Sequence, residues 1–134
     1  MKLRSWCITI LLVLAGVVSS AQVKIDDAGL YYNENGDLYS GSYIEFYTNG
    51  NKRIELNLVQ GVIDGFVYLY YENGGKKEIR SYKNGLMDGT WLTWNEDGTK
   101  IGQAAYKDNL KHGDWFIWDD TGTLRFEMHY TEGK

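Results

Sequence analysis

Two combs of glycine constrain this chain more than any other feature. Gly41, Gly65, Gly89 and Gly113 are each 24 residues from the last, and Gly50, Gly74, Gly98 and Gly122 repeat the same step. The residues between them repeat as well. Gly85-Leu-Met-Asp-Gly-Thr-Trp-Leu-Thr-Trp94 is preceded by Gly61-Val-Ile-Asp-Gly-Phe-Val-Tyr-Leu-Tyr70 and followed by Asn109-Leu-Lys-His-Gly-Asp-Trp-Phe-Ile-Trp118. Self-similarity at this period means a repeat architecture, in which each unit is one small structural motif that buries surface only against its neighbours.

The motif is a β-hairpin. Asn35-Gly36, Asn49-Gly50, Asn73-Gly74 and Asp97-Gly98 are the dipeptides of two-residue type I′ turns, with Thr121-Gly122 in the equivalent place. A second turn falls in each unit at Gln60-Gly61, Asn84-Gly85 and Asp108-Asn109, with Glu132-Gly133 last. The chain has no proline and 11 Tyr plus 5 Trp, as a sheet of hydrogen-bonded ladders wants. The reading is all-β: an antiparallel meander of repeated hairpins, about eight or nine strands in one elongated, twisted single sheet. A truncated unit spans 29–40, full units span 41–64, 65–88 and 89–112, and the last spans 113–134. Residues 22–28 are a loose lead-in.

Alternation assigns faces. Ile44 and Phe46, Tyr68 and Tyr70, Leu92 and Trp94, Phe116 and Trp118 are apolar throughout and are expected to form the core face. The opposite set mixes aromatic with polar residues and is expected to be partly wet. The glycines at 41, 65, 89 and 113 need a reason to sit in strands. The first is close approach by a neighbouring ring; the competing one is positive φ at a bend. Ile79 is out of step with Tyr82, which suggests a bulge between them. The lysines along the return strands read as protection against edge pairing.

Residues 1–21 stand apart. A cationic start at Lys2 and Arg4, an apolar run from Ile8 to Val18, and Ser19-Ser20-Ala21 read as a signal peptide cleaved after Ala21. The run is too short for a membrane span. The expected location is therefore exported: periplasm, outer envelope or medium. Cys7 precedes the apolar run, so lipid attachment is not expected, and the mature 113 residues would contain no cysteine. Loss of Lys2 and Arg4 leaves 12 Lys plus Arg against 18 Asp plus Glu, a balance of −6. That argues against nucleic acid as a partner, which wants clustered cations.

Little in the chain points to catalysis. His112 and His129 lack metal-ligand spacing, and no nucleophile-elbow or phosphate-loop motif occurs. Asp64 and Asp88 form a column one unit apart that His112 interrupts, and Asp119-Asp120 only loosely suggests a calcium loop. No enzyme activity, cofactor or metal is expected. Binding remains, and its candidate residues are an aromatic strip on the mixed face: Tyr43, Tyr47, Tyr71, Trp91 and Trp115.

The phrase Tyr82-Lys-Asn-Gly85-Leu-Met-Asp-Gly89-Thr-Trp91 resembles a MORN repeat, and Gly89-x-Trp91-x-x-Trp94-x-x-x-Gly98 is similar to the variant found in bacterial proteins labelled YwqK-type antitoxins. The resemblance covers roughly residues 29–134. It implies sheets of β-hairpins that serve as scaffolds or interaction surfaces. The expected function is thus a non-catalytic protein–protein interaction module. The alternatives are an antitoxin-like role and recognition of a glycan or envelope polymer by the strip.

Overall fold

The computed structural model describes residues 23–134. The signal-peptide reading and Cys7 lie outside the described residues. The chain runs β1 (Lys24–Ile25), β2 (Tyr31–Tyr32), β3 (Gly41–Phe46), β4 (Lys52–Val59), β5 (Val62–Tyr70), β6 (Lys76–Lys83), β7 (Leu86–Met87), β8 (Gly89–Trp94), β9 (Lys100–Lys107), β10 (Leu110–Lys111), β11 (Gly113–Trp118) and β12 (Leu124–Tyr130). One long open antiparallel sheet holds them in the order β12-β11-β9-β8-β6-β5-β4-β3, with β7 on β6 and β10 on β9. β1 pairs only with β2, so the lead-in is not wholly loose: Lys24 lies opposite Tyr32 and Ile25 opposite Tyr31.

The type I′ turns are not the ones the sequence suggested. Gln60-Gly61, Asn84-Gly85, Asp108-Asn109 and Glu132-Gly133 have positive φ at both residues, so these are the type I′ turns. At Asn35-Gly36, Asn49-Gly50, Asn73-Gly74, Asp97-Gly98 and Thr121-Gly122 only the glycine is positive, so none of these is the expected type I′ turn. Gly50 N–H donates to Tyr47 C=O at 3.0 Å and Tyr47 N–H to Asn51 C=O at 2.8 Å, which closes a three-residue loop. Side-chain oxygens within the loops support this geometry, Asn95 Oδ1 accepting the Thr99 N–H at 2.9 Å in the third and Asp119 Oδ1 that of Thr123 at 3.0 Å in the last. Asn49 Oδ1 accepts the Asn51 N–H at 2.9 Å, and Asn73 Oδ1 accepts that of Gly75 at 2.8 Å. Each such Asx bond stabilises the three-residue loop in place of the two-residue turn.

Each loop is followed by one extra residue in the return strand. Glu45 pairs with Ile54 and Phe46 with Lys52, leaving Arg53 unmatched; Lys77, Ile101 and Arg125 are unmatched in the same way. Towards β5 the bulge expected between Ile79 and Tyr82 is absent; on the other side the pairing slips between Tyr82–Met87 and Ile79–Leu92, where the facing strand bends at Gly89. Tyr68 faces Ile79 and Gly65 faces Tyr82 in unbroken register, and the two are out of step because they point to opposite faces.

The comb glycines sit at bends. Gly65 and Gly89 have φ of 101° and 99°, which L side chains rarely adopt. A Cβ on Gly65 would meet nothing within 4 Å, and one on Gly89 would meet Ser81 Oγ at 2.8 Å, so no ring lies over either. Positive φ, the competing explanation, holds. The bend separates β7 from β8 and β10 from β11, while the equivalent stretch of β5 is continuous. Close approach adds to it at Gly41, where a Cβ would lie 3.1 Å from Tyr39 Oη and 3.4 Å from its Cζ, and it also acts at Gly61, where a Cβ would lie 2.7 Å from Leu38 Cδ2 and 3.0 Å from Tyr31 O.

The core also lies on the face opposite to the one expected. Leu56, Leu58 and Val67 are the buried hydrophobic residues, with Tyr31, Tyr39, Tyr43, Ile54, Ile63, Leu69 and Tyr82 packed around them. None of the eight residues assigned to a core face is buried, and Phe46 is 57% exposed. The reason is the N-terminal segment. Tyr31 N–H donates to Gly61 O at 3.0 Å, Tyr39 N–H to Tyr31 O at 2.9 Å and Gly61 N–H to Tyr39 O at 2.8 Å. These bonds hold Tyr31 and Tyr39 over β4 and β5, and what a layer covers becomes core.

Candidate interaction surface

The two faces of the sheet differ in kind. On the Val67 face, a ladder of rings crosses the C-terminal strands. Tyr82 and Trp91 have ring centroids 5.9 Å apart, Trp91 and Tyr106 4.7 Å, Tyr106 and Trp115 5.2 Å, and Trp115 and Tyr130 5.1 Å. These are the tilted and edge-to-face contacts that aromatic quadrupoles favour. Both indoles also bind backbone: Trp115 Nε1 donates to Ala105 O at 2.9 Å and Trp91 Nε1 to Ser81 O at 3.4 Å. Cations lie over the rings, with the Arg80 guanidinium 5.1 Å from the Trp91 centroid and Lys111 Nζ 4.8 Å from that of Trp115.

The five residues of the expected strip occupy three environments. Trp91 and Trp115 belong to the ladder. Tyr43 packs edge-on to Tyr31 at 5.4 Å beside the aliphatic core, and its hydroxyl donates to Glu45 Oε1 at 2.6 Å. Burial, then the bond to Glu45, pushes its pKa up to about 12. Tyr47 and Tyr71 sit where strands enter loops, and each ties one unit to the next. The Tyr47 hydroxyl donates to Tyr70 O at 2.8 Å, and that of Tyr71 to Trp94 O at 2.8 Å. The structure thus brings Trp91 and Trp115 together, places Tyr43, Tyr47 and Tyr71 apart from them, and adds Tyr82, Tyr106 and Tyr130. The signal for those three was present, because they share one repeat position.

The opposite face carries Ile44, Phe46, Phe66, Tyr68, Leu92, Trp94, Phe116 and Trp118, and among the described residues nothing is layered over it. Phe46 and Phe66 are 57% and 54% exposed. Phe116 stacks on Trp118 at 5.6 Å, and Lys100 Nζ lies 4.4 Å from the Trp118 centroid. Phe66 was not singled out from the sequence, since alternation assigns residues to faces without saying which face is covered.

The carboxylates have structural work. Asp64 Oδ1 accepts the Asn84 N–H at 3.1 Å and so ties one unit to the turn of the next. Asp119 Oδ1 accepts from the Thr121 and Thr123 amides, each at 3.0 Å, and from Thr121 Oγ1 at 2.7 Å; Oδ2 accepts from Arg125 Nε at 2.7 Å. The Thr121 hydroxyl foremost, with the amides and Arg125, lowers its pKa to about 2. Among the described residues no group of three or more His, Cys, Asp or Glu side chains is placed to hold a metal ion. A shallow cleft of about 420 Å³ lies between stacked loops, lined by Asn49, Tyr71, Glu72, Asn73 and Glu96. Asn49 Nδ2 and Asn51 Nδ2 both donate to Glu72 O at 2.8 Å across it, so its polar groups serve to stack the loops.

No curated protein matches the chain, and no solved structure does. Residues 64–84 and 111–132 match the profile of the MORN repeat variant family. Both segments run from just before a bend glycine, along a first strand, its three-residue loop and its return strand, to a type I′ turn. These two segments, and the repeat unit each represents, are thus MORN repeat variants by that match.

Proposed function

We propose that the protein is an exported, non-catalytic interaction module that takes a protein partner on the uncovered face of its sheet. One observation carries this reading: an uncovered face on which aromatic and apolar side chains alternate with Lys52, Glu55, Lys100, Gln103 and Glu127 of the return strands, with Phe46 and Phe66 more than half exposed. Exposed aromatic side chains set among polar ones are characteristic of protein-binding surfaces. Export rests on residues 1–21.

The test uses the pair Phe46→Ser and Phe66→Ser. Both side chains are exposed, so the double variant is expected to keep the wild-type far-UV spectrum and melting temperature. It is expected to lose the proteins that wild type retains from an envelope fraction. Retention unchanged by the double variant but abolished by Trp91→Ala or Trp115→Ala would move the site to the ladder face. If the retained material is then polysaccharide, the glycan or envelope-polymer reading of Tyr43, Tyr47, Tyr71, Trp91 and Trp115 replaces this one. The antitoxin-like alternative is separated by the N-terminal mass of the protein from fractionated cells. A start at Gln22 in the envelope supports export, and a start at Met1 in the cytosol supports the antitoxin.

A further inference from the structure

The outer edge of β12 has a specific chemistry. Ser81, Ala105 and His129 stand 24 residues apart at one repeat position. Ser81 O accepts the Asp88 N–H at 3.0 Å, and Ala105 O accepts the His112 N–H at 2.9 Å. Each carbonyl also takes an indole from the next unit, Trp91 or Trp115. These bonds show that the backbone at this position points away from its own hairpin partner and towards the next unit. His129 therefore points outward from β12, and so does Glu127, two residues back on the same strand. Among the described residues no strand lies on that side, and only the Thr131–Lys134 pair closes its end, at 2.9 and 3.1 Å. Unpaired edges of this kind recruit another strand.

The opposite edge of the sheet does not fit it. A head-to-tail joint would set β12 of one copy against β3 of the next, with Tyr130 in the place that Tyr82 holds beside Trp91. In β3 that place is taken by Tyr31, which packs on Tyr43 and accepts the Tyr39 N–H. The N-terminal segment thus blocks growth into a filament.

We propose that β12 pairs antiparallel with β12 of a second copy, on a two-fold axis through Met128. In this register Glu127 lies opposite His129 of the other copy, twice. Both residues point outward, so each pair exchanges both backbone N–H···O bonds. The side chains complement one another as well. His129 Nδ1 is held by Asp114 Oδ1 at 2.6 Å, which leaves Nε2 to reach the other copy's Glu127. On the other face Phe126, 61% exposed, meets Tyr130 of the other copy and extends the ring ladder across the joint. Neighbouring registers are worse. An axis through Glu127 sets it against itself, one through His129 sets Glu127 against the already bonded Thr131, and one through Phe126 needs Arg125, which is unmatched in the strand and held by Asp119. The result is a closed, isologous dimer.

The test is light scattering on the full chain, with two variants. Wild type is expected to dimerise reversibly with concentration. Glu127→Lys, at an exposed position, should keep the fold and weaken the dimer at least about tenfold, because two favourable cross-strand pairs are lost. Met128→Cys, in a chain with Cys7→Ser, should form a covalent dimer on mild oxidation, since residues opposite one another in a non-hydrogen-bonded pair have Cα atoms about 4.5 Å apart, within disulfide reach. Thr90→Cys, on an interior strand, should not. A wild-type monomer at every soluble concentration would overturn the proposal. So would a dimer indifferent to Glu127→Lys that Met128→Cys fails to cross-link. Phe46→Ser with Phe66→Ser should leave this dimer intact, which keeps it distinct from partner binding on the uncovered face.

Discussion

The two ends of the sheet solve the same problem differently. Around β3, β4 and β5 the shared repeat positions hold Tyr43, Leu56, Leu58 and Val67, and the N-terminal segment lies over them, so aliphatic side chains are buried. Around β8 to β12 the equivalent positions hold Trp91, Trp115, Ala104, Met128, Tyr106 and Tyr130; among the described residues nothing is layered over them, and none is buried. There the rings cover one another edge to face, with cations above them. A repeat position thus prescribes a contact between units, while the residue that fills it follows from whether a second layer is present.

The largest expected effect tests the covered end. Leu58 is 1% exposed, and Leu58→Ala should cost roughly 3–5 kcal/mol, since little around it can collapse into the space. Chemical denaturation measures this, and a loss under about 1 kcal/mol would show that the cluster is no core. Trp115→Ala tests the uncovered end. It removes two ring contacts of about 0.5–1.5 kcal/mol each and a hydrogen bond worth about 1, so about 2–4 kcal/mol is expected. Because each unit contacts only its neighbours, hydrogen exchange should show this loss concentrated in β11 and β12, with β4 and β5 still protected. Uniform loss of protection would mean that the two ends fold as one unit and would weaken the contrast.

Two bend glycines sharpen the comparison further. Gly65→Ala should cost about 1–3 kcal/mol from left-handed backbone alone. Gly89→Ala carries the same strain and must also displace Ser81 Oγ, so it should be the more destabilising. Equal melting temperatures for the two would remove the steric term.

Smallest are the pH effects, which fall at opposite ends of the scale. Asp119, with its pKa lowered from 3.8 to about 2, stabilises the last loop above its unfolded value, and that contribution fades as pH falls from about 4 to 2. Tyr43, raised from 10.0 to about 12, favours the fold while neutral, and its contribution fades as pH rises from about 10 to 12. Acid should therefore loosen the C-terminal hairpin first and alkali the covered end. Asp119→Asn should abolish only the acid step, as followed by amide resonances of Thr121 and Thr123.

Much of this architecture was legible beforehand. The period, the hairpin units and the single antiparallel sheet follow from glycine spacing and alternation, because both are local and the repeat multiplies the signal. The turn geometry differs from expectation at Asn35-Gly36, Asn49-Gly50, Asn73-Gly74 and Asp97-Gly98, because bonds from loop amides to an asparagine side chain favour the three-residue loop over the dipeptide preference. The bulges at Arg53, Lys77, Ile101 and Arg125 are invisible to alternation, since they follow from the three-residue loops. The strip was legible only in part. Trp91 and Trp115 do share a surface, but Tyr47 and Tyr71 spend their hydroxyls on the next unit's backbone.

The sequence by itself determined the repeat, the strand content and which side chains share a face, since a two-residue alternation and a 24-residue step are properties of the chain alone. Only the tertiary structure decided which face is core. Both faces are rich in apolar residues, so pattern cannot choose between them. The choice is made by the N-terminal segment, whose tyrosines fold over Leu56, Leu58 and Val67 through contacts between residues far apart in the chain.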